Sequence, residues 1–215
     1  MTDQAHEGTT REIGEHEDRF VAHVAGLPAD RPRRAVVVGA GFIGLEAVEA
    51  LATRGLAVDL VEAADHVLPP LDPELANLLA DELRAHGVGL HLGVTAASVT
   101  DADGGVVVAL SDGARLAADV VVVSVGVRPA TELARDAGLE LGPTGAIRVD
   151  ADQRTSDPNI WAVGDAVEVT LAVTGQRAPV PLAGPANRQG RRAAESILGR
   201  RTTPQAPVLG TAIVR

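Results

Sequence analysis

Gly39, Gly41 and Gly44 stand directly after an unbroken apolar run, Ala35-Val36-Val37-Val38. That run has no polar alternation, as expected of a strand covered on both faces in a parallel sheet. Glycines at this spacing between a strand and a helix suit a pyrophosphate. Gly39 permits the tight turn, Gly41 lets backbone approach the phosphates, and Gly44 lets the helix press on the strand. The helix that opens there aims free N–H groups and the positive end of its dipole at the anion. A second strand over 57–61 ends on Glu62, about twenty residues on, where a carboxylate accepts both ribose hydroxyls of an adenosine. A purely structural turn and an exposed strand-end acid are the alternatives. Strand, bend, helix and acid together favour a dinucleotide. Ala63 and Ala64 follow Glu62, with no arginine placed to meet a 2′-phosphate, so NAD(H) is favoured over NADP(H).

The elements that position these residues follow from pattern. The first helix carries Ala47, Val48, Ala50 and Leu51 and stops at Arg54-Gly55, where glycine supplies a left-handed cap. Asp72-Pro73 starts a second helix, with Asp as N-cap and Pro at its first position. Its Leu75, Leu78, Leu79 and Leu83 recur at helical spacing and read as core, and His86-Gly87 ends it. Residues 89–100, 106–110 and 115–117 read as the short strands of a βββ meander joined by glycine-rich turns. Residues 119–126 resume a buried strand, with Gly126 at its carboxyl end, where open α/β sheets bind ligands. Further on, 131–138 reads as a short helix, 146–149 as a strand and 184–198 as a long helix. Towards the N-terminus, 20–24 suggests part of an amphipathic helix and 27–32 a linker. The expected fold class is α/β: a lead and linker over 1–34, then a Rossmann-like domain over 35–129 with its meander. A different pattern follows from 130.

Composition narrows the function. The 215 residues are 46% hydrophobic and 22% charged, ordinary for a globular protein, with a net charge of -10 and 1% aromatics. That balance argues against nucleic acid, which needs a basic face and often stacking rings. No apolar run approaches the ~20 residues of a membrane span, and Met1-Thr2-Asp3-Gln4 lacks a signal peptide's basic and apolar regions, so the expected location is cytoplasmic. With no Cys there is no disulfide, thiolate nucleophile or Cys-based metal site. There is no Lys either, which excludes a Tyr-x-x-x-Lys proton relay. The six His show no metal-ligand spacing and read as surface or capping residues.

At Thr155, Pro158, Ile160, Trp161, Ala162, Gly164 and Asp165 the chain resembles the second flavin motif of the two-dinucleotide-binding flavoproteins. Together with the glycine run through Glu46, this is similar to the pyridine nucleotide-disulfide oxidoreductases. Val67-Leu68-Pro69-Pro70-Leu71-Asp72 and Pro181-Leu182-Ala183-Gly184-Pro185-Ala186-Asn187-Arg188-Gln189-Gly190-Arg191 point to the coenzyme A-disulfide reductase and NADH oxidase branch. The resemblance implies an FAD domain interrupted by an NAD domain, then a dimerisation domain. Residues 130–205 would be the C-terminal part of the FAD domain, and 206–215 the start of the dimerisation domain. It implies that Gly39, Gly41, Ile43 and Gly44 cradle the NAD pyrophosphate, that Glu46 faces the nicotinamide end, and that Phe42 gates that pocket. Gly164 and Asp165 would meet the flavin, Asp165 at the ribityl chain, with the helix near Pro185 pointing its N-terminus at the flavin pyrimidine. NADH would then pass hydride to FAD.

Simpler readings stand beside these: Glu46 as a solvated helix glutamate, Phe42 as packing, and Arg188, Arg191 and Arg192 as a solvated face. The family's earlier FAD fingerprint and its Cys are missing, so the chain looks like the middle of a larger enzyme, working as a homodimer or with a complementary FAD-domain chain. The alternatives are a non-catalytic nucleotide-binding module or half of a split flavoprotein, and a self-contained NAD dehydrogenase, for which no acid/base is evident. If strands are missing, apolar surface around Ile160, Trp161 and Val163 should be exposed.

Overall fold

The glycine bend sits at the carboxyl end of the central strand of a five-stranded sheet in a computed structural model that describes residues 10–12, 22–24, 33–200 and 207–210. Up to Gly126 the chain forms one unit, with elements β1 (Thr10–Glu12), β2 (Ala22–Val24), β3 (Arg34–Val38), α1 (Phe42–Thr53), β4 (Ala57–Glu62), α2 (Pro73–Ala85), β5 (Gly89–Leu92), β6 (Ala96–Ala102), β7 (Gly105–Leu110), β8 (Arg115–Ala118) and β9 (Val120–Val123). The main sheet runs β2-β9-β3-β4-β5, parallel except for the edge strand β2. The parallel pairs need crossovers, and α1, α2 and the meander supply them.

The unbroken valines of β3 are divided between two cores. Ala35 and Val37 face the helices with Leu45, Val48, Leu60, Ala76 and Ala80. Val36 and Val38 face the other way, with Val61, Val106, Val108 and Leu110. The second face is roofed by a four-stranded antiparallel sheet in the order β1-β6-β7-β8, so the unit has helix, sheet and sheet layers. The α/β class, the Rossmann-like sheet and the meander agree with the expectation.

Several local expectations change. Residues 22–24 are a strand, not helix, and pair antiparallel with β9. Like β1, which pairs with β6, β2 lies inside the stretch expected to be lead and linker. The expected strand over 89–100 is two: β5 joins the parallel sheet and β6 the roof. On α2 the buried residues are Ala76 and Ala80, whereas Leu75 is 55% and Leu78 69% exposed. Only Leu79 and Leu83 of the leucine set pack against the core. The helix approaches the sheet through small side chains, and leucines at its flanks stay outside.

From Val127 on there is a second unit. It holds α3 (Glu132–Asp136), a 3-10 turn over Gly164–Ala166, the hairpin β10 (Glu168–Thr170) and β11 (Arg177–Pro179), and α4 (Ala183–Ile197). The strand expected at 146–149 reduces to single bridges from Ile147 to Leu141 and Val167. Its small core comprises Ala134, Ile147, Val149, Val167, Val169 and Val208. The expected linker over 27–32, residues 20 and 21, and, of the expected start of a dimerisation domain, residues 206 and 211–215 lie outside the described residues.

Candidate functional site

The bend after β3 is fastened at every polar group of its first two residues. Gly39 takes φ +100, a left-handed backbone that favours glycine. Its N–H donates to the Val61 carbonyl at 2.8 Å. Its carbonyl accepts from the Ser124 hydroxyl at 3.0 Å. The Ala40 N–H donates to Glu62 Oε2 at 2.6 Å, and the Ala40 carbonyl accepts from Leu68 N–H at 2.8 Å.

From Gly41 on, the donors are differently placed. Gly41 is the N-cap of α1, its carbonyl accepts from Leu45 N–H at 3.0 Å, and no side chain caps the helix. The first N–H groups of a helix have no intrahelical acceptor, and they carry the positive end of the dipole. The first turn of α1 holds no acid, so that positive end is left to an anion from outside.

The three glycines serve distinct ends. A Cβ on Gly39 would run into the Ser124 carbonyl, and one on Gly44 into the Gly39 carbonyl and towards Ser124 Oγ. Those two are required by the protein's own packing. A Cβ on Gly41 would meet nothing within 4 Å. With φ -76 and ψ -174, Gly41 is also in a backbone conformation open to any residue. The space over Gly41 is therefore free for a ligand.

That space belongs to a cleft of ≈ 430 Å³ at the carboxyl ends of β3, β4 and β9, the usual ligand position of an open parallel sheet. Its walls are Gly39 and Gly41, Glu62 and Ala63, Pro69-Pro70, residues 94–96, and Ser124-Val125-Gly126. Gly126, at φ +111, is likewise open to added volume. Glu62 sits at the mouth. Oε1 accepts from Ala64 N–H at 2.8 Å and Oε2 holds Ala40. A carboxylate offers about four acceptor positions, so two remain for the hydroxyls of a ribose. These features fit a dinucleotide's diphosphate and adenosine.

Of the site residues expected from sequence, the cleft thus brings together Gly39, Gly41, Glu62 and Gly126. Gly44 is buried behind the bend, while Phe42, Ile43 and Glu46 are exposed on α1 and do not line the cleft wall. Gly164 and Asp165 lie in the second unit. Gly164, at φ +82, gives its N–H to the buried Gln189 of α4 at 2.6 Å, and Asp165 is exposed. Trp161 is half-buried, with its indole N–H on Ser196 Oγ at 2.9 Å and the Arg154 guanidinium 5.2 Å from its ring centre. Ile160 and Val163 are exposed beside it, whereas Trp161, expected to be exposed with them, is partly covered.

Ser124, Leu68 and Gln189 escaped sequence reasoning. Ser124 left one trace, a hydroxyl inside the run Val120-Val121-Val122-Val123-Ser124-Val125. Leu68, buried at φ 50, and Gln189 stand inside the two stretches that carry the family resemblance, with nothing there to mark what their backbone or side chain holds. In the same loop Asp65 Oδ1 lies 2.6 Å from His66 Nδ1. That hydrogen bond raises the His66 pKa above 6.5 and lowers that of Asp65 below 3.8. Among the described residues no helix is long and apolar enough to cross a membrane, and no cluster of His, Cys, Asp or Glu could hold a metal.

Comparison with known proteins matches residues 6–189 to the family described as Pyridine nucleotide-disulphide oxidoreductase. The chain belongs to that family. The family depends on FAD and NAD(P)H. Among its relatives is the NAD(P)H sulfur oxidoreductase (CoA-dependent) of Pyrococcus furiosus, 35% identical over 84% of this chain and 40% of the relative. Among solved structures, reduced Bacillus anthracis CoADR-RHD, a CoA-disulfide reductase, is 42% identical with TM-score 0.80, over 86% of this chain and 33% of that one. The water-forming NADH oxidase of Lactobacillus brevis bound to NADH is 31% identical with TM-score 0.74, over 86% of this chain and 45% of that one. An engineered form of it bound to NADPH has TM-score 0.74 at 29% identity, over 86% of this chain and 46% of that one. The chain thus spans less than half the length of these relatives.

Proposed function

We propose that this chain is the pyridine-nucleotide-binding part of a flavin-dependent oxidoreductase of the CoA-disulfide or persulfide reductase kind, and that it takes NADH in preference to NADPH. The observation that carries the reading is the space over Gly41. The protein's own packing does not require that glycine, whereas a diphosphate resting on the first N–H groups of α1 does. The free acceptor positions of Glu62 would take the adenosine ribose, and Pro69-Pro70 would flank it. Residues 35–129 act as the NAD domain in this reading. Residues 130–205 form part of an FAD domain, with Gly164 and Asp165 towards the flavin and Gln189 holding their turn to α4, and 206–215 begin a dimerisation domain. The nicotinamide ring, when bound, supplies the hydride. The chain's residues bind and orient it, and in the whole protein would do so in the cytoplasm.

The choice of cofactor rests on Glu62 and its neighbours. The engineered NADPH oxidase replaces Gly, Asp, Ala, Met and Pro at successive intervals of 18, 1, 1 and 5, with Arg at its Ala and Pro positions. The same intervals separate Gly44, Glu62, Ala63, Ala64 and Pro69 here. This chain has the acid and lacks both arginines, which suits a bare ribose hydroxyl and repels a 2′-phosphate. Calorimetric titration tests both halves. The unaltered chain should saturate with NADH and bind NADPH at least about tenfold more weakly, and Glu62→Ala combined with Ala63→Arg should reverse that order. No saturable uptake of either cofactor overturns the reading.

A second reading is favoured by one observation. With no Cys the chain has no thiol of its own for disulfide chemistry. A nucleotide-binding module without catalysis would bind NADH and develop no stoichiometric flavin absorbance after FAD is added.

A further inference from the structure

Ser124 closes the run of valines that forms β9, at the one place where the strand passes the glycine bend. Its hydroxyl is 3.0 Å from the Val38 carbonyl and 3.0 Å from the Gly39 carbonyl, and is half-buried between β9, β3 and the start of α1. Backbone N–H of the same residue holds Val38 from below at 2.7 Å. The positive φ of Gly39 turns its carbonyl back towards β9, away from the ladder, where it needs a donor. The missing side chain of Gly44 keeps this contact open, since a Cβ there would come to 2.8 Å from Ser124 Oγ. Glu62 holds the next residue, Ala40, from the opposite side of the bend.

We propose, building on the dinucleotide reading above, that Ser124 is a positioning residue for diphosphate binding. Its hydroxyl fixes the orientation of the Gly39 carbonyl, and thereby the height at which the N–H groups from Gly41 onward meet the phosphates. Without that donor the peptide after Gly39 is held from one side only, by Glu62 through the Ala40 N–H, and the N–H groups that follow lose part of their common aim. Ser124 acts through the bend and touches no reacting atom. A bare hydroxyl among valines is otherwise out of place, because desolvating it gains nothing unless it is hydrogen-bonded.

The test is NADH titration of the full chain carrying Ser124→Ala, Ser124→Cys or Ser124→Thr, with thermal unfolding measured alongside. Removing the donor should weaken NADH binding on the order of tenfold. Cys, of similar shape and a weak donor, should fall between. Thr, which restores the hydroxyl, should return the affinity to within about threefold. Amide resonances of Ala40 and Gly41 should shift in the Ala variant and recover in the Thr variant. If the Ala variant does not fold, the comparison of Cys with Thr carries the test. A parent that saturates beside Ala and Cys variants that bind within twofold of it overturns this proposal and leaves the dinucleotide reading standing. The same holds for a loss that Thr fails to restore. A parent that takes up no NADH overturns both.

Discussion

Glu62 and His66, four residues apart, show how one loop can carry both recognition and its own support. Glu62 spends half its acceptor capacity on Ala40 and Ala64 N–H groups, so the group that would read the ribose also holds the bend that would read the phosphates. His66 supports the loop through Asp65. Its raised pKa means that the charged form's stabilisation is complete below about 6.5 and is lost as pH climbs through the raised value. For Asp65 the sign is opposite: its contribution is present above 3.8 and fades as pH falls through its lowered value. The pair is therefore whole between those two limits. NMR titration of the His66 ring should place its midpoint above 6.5, and Asp65→Asn should bring it back. A midpoint at or below 6.5 in the unaltered chain would contradict the pairing.

At the scale of elements, α2 shows what spacing conceals. A helical leucine repeat fixes which residues share a face, but not which face meets the sheet. Here the seam is Ala76 and Ala80, and the wider Leu75 and Leu78 are left outside. Leu78→Gln should leave stability within about 0.5 kcal/mol in urea unfolding, as at an ordinary surface position. Ala76→Leu, adding volume at a position with 0% exposure, should cost about 1–3 kcal/mol. The reverse ranking would put the helix the other way round. The β3–α1–β4 unit was legible because each feature is local: apolar run, glycine spacing, terminal acid. The strands β1 and β2 were not, since three residues hold no period and their partners are far along the chain, Thr10 against Thr100 and Ala22 against Val122. The division of 89–100 was hidden for a related reason. Alternation within a short run does not say which of two sheets will claim it. Ser124 and Leu68 became visible only when β9 and the loop after β4 were laid against the bend.

Over the whole molecule, two units with separate cores carry separate parts of the proposed role. The chain has a single Trp, Trp161, and it reports on the second unit alone. Unfolding should accordingly depart from two-state behaviour. NADH at about 100 times its dissociation constant should raise the stability of the first unit by roughly 2.7 kcal/mol. The midpoint followed by amide exchange in β3 and β4 should then rise, while that followed by Trp161 fluorescence stays in place. Equal shifts in both would show the units to be energetically one. The open volume above Gly41 is what a bound diphosphate needs, and Gly41→Val probes it most directly through one paired measurement, NADH calorimetry beside thermal unfolding. The Gly41→Val chain should keep its stability within about 1 kcal/mol, because the backbone there admits any residue and an added Cβ meets no protein atom within 4 Å, and it should no longer saturate with NADH. A Gly41→Val chain that folds and still binds NADH as tightly as its parent would contradict the dinucleotide reading.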